Sequence, residues 1–202
     1  MPGQVAAERV RIMDAAYRCL ADARGAPVSI TEILSAAGLS TRAFYRQFES
    51  KDALLLAMFR RDSASVMAEL RELAAGAASP AEGLGAIIAG MLGITADERR
   101  RRRVLALTSG EATRARGYAA ERGRAVAEQE GIIAGVLAAG RADGSFPLAD
   151  PGQDARFVRA ALGQAFEDQM AGTAGATAAE TAARLTGFAL RALGAPGTRP
   201  PA

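Results

Sequence analysis

The sequence predicts an all-α protein of about nine helices, divided between two helical domains. Apolar residues recur every three or four positions along most of the chain, which is the spacing of one helix face. No stretch shows sustained alternation of apolar and polar residues between hairpin turns, so no strand is expected. Two short segments near the N-terminus carry their own helix-capping residues and stand close together.

The first helix is expected at about residues 7–24, because an apolar stripe covers one side of it. Gly25 ends this helix, and Pro27 prevents it from continuing. Residues 1–7 carry little apolar surface and are expected to be disordered. The stripe consists of Ile12, Ala15, Ala16, Cys19, Leu20 and Ala23.

Two helix-start signals follow. Ser29 and Glu32 have the spacing of a capping box, in which the Ser hydroxyl caps a helix and the Glu reaches back. Gly38 suits a left-handed position at the end of that helix, and Ser40 caps a second helix at 41–48. Two short helices joined by a glycine-containing turn form a helix-turn-helix, whose second helix enters the DNA major groove.

The second of these helices has two different faces. Phe44 and Phe48 lie four residues apart and should face inward. An Arg can make a bidentate contact to guanine, and Thr and Tyr can reach bases or phosphates. The residues expected on the outer side are Thr41, Arg42, Tyr45 and Arg46.

The run A-A-G-L-S-T-R-A-F-Y-R-Q-F-x-S-K-D-x-L resembles the signature of the TetR (tetracycline repressor) family of bacterial transcription regulators. The resemblance is specific over roughly residues 10–59 and architectural afterwards. Leu34 stands where the family often has Ala, which we interpret as a packing variation. Arg42 stands where the family often has a small residue, and this departure is expected to alter which bases are read. The positions at the family's spacing are Gly38, Ser40, Tyr45, Phe48, Lys51 and Leu54.

The resemblance implies a DNA-binding domain at residues 1–50, with its motif at 29–48. It also implies a helical effector-binding and dimerisation domain at 51–194, followed by a disordered tail at 195–202. Tyr45 and Lys51 are expected to contact phosphates. The expected DNA-binding residues are Ser29, Thr31, Ser40, Thr41, Arg42, Tyr45, Arg46, Gln47 and Lys51.

A long helix at about 51–75 should link the two domains, since its early apolar residues belong to the first and its late ones to the second. Ser79 and Pro80 have the pattern of a helix start. The further helices are expected at about 80–95, 98–109, 113–139, 151–171 and 176–193.

Regulators of the resembled family bind a small molecule in the second domain. The alternative is that the same residues are plain core, which Met and aromatic stripes at helical spacing usually are. No residue pattern identifies an effector. The lining expected from the resemblance is mostly apolar and consists of Phe59, Ser63, Met67, Ile88, Met91, Tyr118, Arg122, Phe166 and Gln169.

The resemblance further implies that the last two helices pair with those of a second subunit in a four-helix bundle. A two-fold dimer reads two half-sites about 34–36 Å apart, whereas one motif grips few bases. The alternative is that both apolar stripes close a monomeric core. The expected interface residues are Phe157, Ala161, Ala165, Leu185, Phe188 and Ala189.

Composition limits the other classes of function. The 202 residues carry a net charge of +3, which permits nucleic-acid binding without indicating it strongly. With no His and one Cys, the chain offers no Ser-His or Cys-His pair, no His-ligated metal site and no internal disulfide. Neither a secretory signal nor a membrane span is recognisable. No catalytic residue, metal or cofactor is therefore expected, and the expected location is the reducing cytoplasm.

Arg99–Arg103 is a run of five arginines at the start of a predicted helix. It could touch DNA phosphates or an acidic ligand, or it could be a solvated helix start. Positive charges oppose the helix dipole at this end, so some of these arginines should have partners, for instance Asp97 or Glu98.

These observations predict a ligand-responsive repressor that binds a palindromic operator as a homodimer and is released by a small-molecule effector. One alternative is a helical small-molecule-binding or protein-interaction module without sequence-specific DNA binding. The presence of Tyr45, Arg46 and Lys51 argues against that module. An enzyme is a third class, which the missing His and missing catalytic motifs disfavour.

Overall fold

The computed structural model describes residues 2–23 and 26–196, and this part of the chain contains ten α-helices and no strand. The predicted all-α class is therefore confirmed. The helices are α1 Pro2–Asp22, α2 Ile30–Ala37, α3 Thr41–Gln47, α4 Lys51–Ala75, α5 Pro80–Ala96, α6 Glu98–Leu107, α7 Gly110–Arg114, α8 Tyr118–Ala142, α9 Pro151–Ala171 and α10 Ala178–Ala192.

One short helix was not predicted. The helix expected at 113–139 begins only at Tyr118, and α7 precedes it as a separate helix. Ser109 caps α7 by accepting a hydrogen bond from the N–H of Ala112. Gly117 then adopts a φ of 93°, a left-handed conformation that breaks the helical path before α8.

The expected disorder of residues 1–7 is wrong for residues 2–7, because α1 begins at Pro2. Polar contacts hold this part of α1, since the side-chain amide of Gln47 donates to the carbonyl of Val5 at 2.9 Å. Glu8 lies one turn further on and is buried. Residues 1, 24 and 25 lie outside the described part of the chain, and so does the predicted role of Gly25 as a helix stop.

Contacts between Cα atoms divide the chain into two compact units. The first unit comprises residues 1–63 and 99–123, and the second comprises residues 64–98 and 124–202. Helix α4 supplies residues to both units. The predicted domain boundary after residue 50 stays a prediction.

The core of the first unit joins α1, α2 and α3 to the early part of α4. Ile12, Ile33, Phe44, Leu54 and Met58 are completely buried in one apolar cluster. Burying a side chain of this size contributes about 1.5–3 kcal/mol. Helices α6 and α7 belong to the same cluster through Ala106, Leu107, Ala112 and Ala115.

The core of the second unit is formed by the late part of α4 with α5, α8, α9 and α10. Leu84, Ile87 and Ile88 on α5 are completely buried, as are Ile133 and Leu137 on α8. Phe146 lies in the loop after α8 and is completely buried in the same cluster. Beyond α10, Ala195 packs against this core, while residues 197–202 of the predicted disordered tail lie outside the described residues.

Candidate nucleic-acid interface

Helix α2 begins at the predicted capping box. The Ser29 hydroxyl accepts a hydrogen bond from the N–H of Glu32 at 3.1 Å, and the Glu32 carboxylate accepts one from the N–H of Ser29 at 2.6 Å. The hydrogen bond from the Ser29 N–H, together with the nearby Ser29 side chain, favours the charged carboxylate and so lowers the pKa of Glu32. The start of α2 is thus fixed by residues local in sequence.

The turn between α2 and α3 depends on Gly38. This residue has a φ of 61° and caps α2 with its N–H, which donates to the carbonyls of Leu34 and Ser35. Arg11 of α1 donates to the neighbouring Ala37 carbonyl at 2.7 Å. A Cβ at position 38 would meet the Arg11 guanidinium at 3.4 Å and would also strain the left-handed backbone.

Helix α3 separates a buried face from an exposed one as predicted. Ser40 accepts a hydrogen bond from the N–H of Ala43 at 3.3 Å and caps the helix. Phe44 and Phe48 are buried with their ring centroids 5.7 Å apart. The opposite face exposes Thr41, Arg42, Tyr45 and Arg46 to solvent, and Thr31 and Ser40 are exposed beside it.

Arg46 has a partner that sequence reasoning missed. Its guanidinium forms an ion pair with the carboxylate of Glu8 on α1, and its side chain remains 47% exposed. Gln47 bonds to α1 twice: its side-chain amide donates to the Val5 carbonyl, and its backbone carbonyl accepts from the Arg9 guanidinium, both at 2.9 Å. The Arg9 guanidinium also lies 4.3 Å from the centroid of the Phe48 ring. The last turn of α3 is therefore fastened to α1.

Lys51, the first residue of α4, also has internal partners. Its ammonium donates to the carbonyl of Val28 and forms an ion pair with Glu111 of α7. Burial lowers the pKa of Lys51, and the nearby Glu32 and Asp52 charges oppose that shift. The sequence held no signal for Glu111, because it stands 60 residues after Lys51.

Arg103, the last residue of the arginine run, has partners within the first unit. The Arg103 guanidinium lies 3.4 Å from Asp62 on α4 and 4.0 Å from Asp14 on α1. It also stands 4.8 Å from the centroid of the Tyr17 ring, whose hydroxyl donates to the carbonyl of Met58 at 3.2 Å. Burial raises the pKa of Tyr17. Arg103 thus links α6 to α1 and α4.

The predicted effector-binding residues fall in both units. In the first unit, Phe59 and Tyr118 make an edge-on ring contact with centroids 5.1 Å apart. The other predicted effector-binding residues in the first unit are the half-buried Ser63 and the exposed Arg122. Their joint role as the lining of one pocket stays a prediction.

In the second unit, Met67 and Ile88 are buried in the core, and Met91 and Phe166 pack partly buried against it. The side-chain amide of Gln169 donates to the Ala176 carbonyl and to the Thr181 hydroxyl, both at 2.9 Å. Met67, Ile88, Met91 and Phe166 are therefore core residues or pack against the core, as the alternative interpretation expects.

The second unit has an open groove of about 630 Å³, where α4 ends, α5 begins and α8 ends. None of the predicted effector-binding residues lines this groove. Its lining consists of Ala74, Ala77, Ala78, Ser79, Pro80, Gly83, Val136, Ala139, Ala142 and Asp143.

The predicted dimer residues differ in exposure. Phe157 on α9 and Phe188 on α10 are 61% and 59% exposed, which is unusual for side chains of this size. Ala189 is only 2% exposed, because it packs in the core of its own unit. The half-buried members of the set are Ala161, Ala165 and Leu185. The two phenylalanines thus offer most of the large apolar surface of this set.

Other kinds of site are not apparent in the part of the chain that the structure describes. No group of three or more His, Cys, Asp or Glu side chains is placed to hold a metal ion. None of the described helices is long and apolar enough to cross a membrane. Cys19 is partly buried, and burial raises the pKa of its thiol, so it is a weak nucleophile.

Residues 12–58 match the family of bacterial regulatory proteins called the tetR family. The match covers α2, α3 and the capping residues described above, together with most of α1 and the start of α4. No curated protein shows detectable similarity to the sequence.

Many solved structures share the fold, and three of them serve as examples. The fatty acid degradation regulator FadR from Bacillus halodurans is 16% identical with a TM-score of 0.76, over 91% of this chain and 94% of that one. FadR from Bacillus subtilis, solved with stearoyl-CoA, is 16% identical with a TM-score of 0.73, over 91% and 98%. SmeT, solved with triclosan, is 22% identical with a TM-score of 0.77, over 97% and 99%. Likeness at these identities shows the fold alone.

Proposed function

Because this chain belongs to the tetR family of bacterial regulatory proteins, we propose that it is a transcriptional repressor released by a small-molecule effector. It binds a palindromic operator as a homodimer. The coupling is thermodynamic, since effector and DNA favour different conformations of the same protein.

One observation carries the proposal. Helix α3 is capped by Ser40 and anchored by the buried Phe44 and Phe48, while Arg42 and Tyr45 project from its opposite face. Arg42 is exposed to solvent, so its guanidinium can reach a guanine edge. A rigid helix with free polar side chains outward is what major-groove reading requires.

Phosphate contacts complete the site. Thr31, Ser40, Thr41 and Tyr45 are exposed around α3 and carry hydroxyl groups that can donate to phosphate oxygens. The expected contacts through Arg46, Gln47 and Lys51 face internal competition, because each of these side chains already has a bonding partner.

Dimerisation is proposed through α9 and α10. Phe157 and Phe188 present apolar surface that a second copy of these helices would cover. A two-fold dimer also gives the spacing of about 34–36 Å that two half-sites in successive major grooves need. Because a transcription regulator has to reach its operator DNA, the cytoplasm is the proposed location.

Helix α4 is the proposed route from effector to DNA. Leu54, Leu55 and Met58 at its start belong to the first unit's core, whereas Met67 and Leu70 belong to the second unit's core. Because its two ends belong to different cores, α4 is an element whose position both effector binding and DNA binding can change. Stearoyl-CoA and triclosan, with which two of the similar proteins were solved, are suitable first probes, because triclosan and the stearoyl chain are apolar.

Fluorescence anisotropy with duplexes that flank the protein's own gene tests the proposal. A shuffled duplex of identical composition is the control. The protein should bind one flanking duplex at least about a thousandfold more tightly than the shuffled one. Equal binding to both would favour the alternative, a helical ligand-binding or protein-interaction module without sequence-specific DNA binding.

A further inference from the structure

Glu111 of α7 connects two parts of the DNA-binding motif that are distant in sequence. One carboxylate oxygen accepts a hydrogen bond from the N–H of Val28 at 3.1 Å, and the other is ion-paired with Lys51. Lys51 in turn donates to the carbonyl of the same Val28. The three residues thus form a closed network that uses both backbone polar groups of Val28.

The network lies at a mechanically important place in the first unit. Val28 is 4% exposed and directly precedes Ser29, the residue that caps α2. Lys51 begins α4, four residues after α3 ends at Gln47. The network therefore ties the entrance and the exit of the helix-turn-helix to each other through α7.

The segment after α7 docks on the same end of α4. The N–H of Arg116 donates to the carboxylate of Asp52 at 3.1 Å. A Cβ at Gly117 would stand 3.3 Å from the side chain of Leu56, so the backbone approaches α4 closely there. Residues 110–117 thus contact α4 at Lys51, Asp52 and Leu56.

We propose that Glu111 is a positioning residue for DNA reading, which holds Lys51 on the Val28 carbonyl so that Lys51 braces the motif instead of contacting a phosphate. This inference rests on the proposed function, because it concerns how the motif is held for DNA. It replaces the role in phosphate binding that the family resemblance implies for Lys51.

A Lys51 that braces the motif differs from one that contacts a phosphate in its free donors and in its net charge. An ammonium has three donors, and Lys51 uses at least two of them, for the Val28 carbonyl and Glu111. The ion pair also leaves no net charge to release counterions from DNA, whereas a true phosphate contact contributes about 0.9 to the salt slope of binding. Loss of either partner leaves a buried backbone group of Val28 unsatisfied.

The test combines salt-dependent operator binding with urea denaturation for Lys51→Met, Glu111→Gln and the double variant. Arg71→Met is the matched control, because it removes one positive charge from another ion pair, with Glu128, in the second unit. Lys51→Gln keeps a donor for the Val28 carbonyl and serves if Lys51→Met does not fold.

Lys51→Met should lower operator affinity about tenfold, the size expected for one charged hydrogen bond. The double variant removes both charges of the ion pair, so it should leave the slope of log affinity against log salt unchanged. The effect of Lys51→Met on the urea midpoint should be strongly non-additive with that of Glu111→Gln. The control should change neither operator affinity nor slope.

A slope reduced by about 0.9 units in the double variant would overturn the inference, since it would show a phosphate contact. Unchanged operator affinity, or additive effects on the urea midpoint, would overturn it too. In each of these cases the wild type still binds its operator, and the proposed function stands. Failure of the wild type to bind any operator removes the proposed function and this inference with it.

Discussion

The guanidinium of Arg46 on α3 is bonded to the carboxylate of Glu8 on α1, 38 positions earlier in the chain. Glu8 is one of the few charged residues that the structure buries, and Arg46 covers it from the solvent side. A buried carboxylate needs such a partner, because an unpaired charge is costly to remove from water. The pair therefore fixes how the last turn of α3 lies against α1.

A double-mutant cycle on Glu8→Gln and Arg46→Ala tests the structural role of this pair. Because Arg46 is half exposed, we expect a coupling of about 0.5–1 kcal/mol in the free energy of unfolding. Arg42→Ala on the same helix is the control and should change stability by less than about 0.5 kcal/mol. Zero coupling between Glu8 and Arg46 would show that the ion pair contributes nothing.

Phe188→Arg tests the proposed dimer surface. The wild type should be a dimer in solution without DNA, and the substitution would bury a charge in the four-helix bundle and separate the subunits. Leu105→Arg is the control, since Leu105 is a comparably exposed apolar residue on α6 and should leave the dimer intact. Light scattering at micromolar concentration provides the measurement, and a monomeric wild type would contradict the dimer.

Gly140→Ala tests the packing of the second unit. A Cβ at position 140 would lie 2.1 Å from the ring of the fully buried Phe146, so we expect destabilisation by about 1–3 kcal/mol. Gly135→Ala in the same helix meets nothing within 4 Å and should stabilise the protein by about 0.5–1 kcal/mol. Urea denaturation of both variants gives the comparison. Equal effects would mean that Phe146 is not packed as described.

Effector coupling has a consequence that calorimetry can measure. Once a compound that releases DNA is found, the reciprocity of coupling makes a quantitative demand. Operator DNA must weaken binding of the compound by the same factor by which the compound weakens binding of operator DNA. Titration of the compound with and without saturating operator should therefore give different affinities. Equal affinities would show that the compound is not an inducer of this protein.

The features that the sequence predicted are local ones. The capping residues Ser29, Ser40 and Ser79 each stand three positions from the N–H that they bond, so their pattern is readable along the chain. The left-handed turn at Gly38 and the inward Phe44 and Phe48 follow from spacing in the same way. These signals were enough to place α2 and α3 and to assign the exposed side of α3.

The contacts that the sequence did not predict connect distant positions of the chain. Glu111 pairs with Lys51 across 60 positions, and Glu8 pairs with Arg46 across 38, so no local pattern announces either contact. Helix α7 has five residues, which is too short to show helical periodicity. Three of the side chains expected to face DNA, those of Arg46, Gln47 and Lys51, have partners inside the protein.

The central claim is that α3 reads DNA sequence through its exposed face. Selection of duplexes from a random pool, with the wild type and Arg42→Ala in parallel, tests it most directly. The wild type should enrich a two-fold symmetric sequence, and Arg42→Ala should lose about 1–3 kcal/mol there and relax one base position in each half-site. No enriched sequence with the wild type, or an identical base preference with both proteins, would contradict the claim.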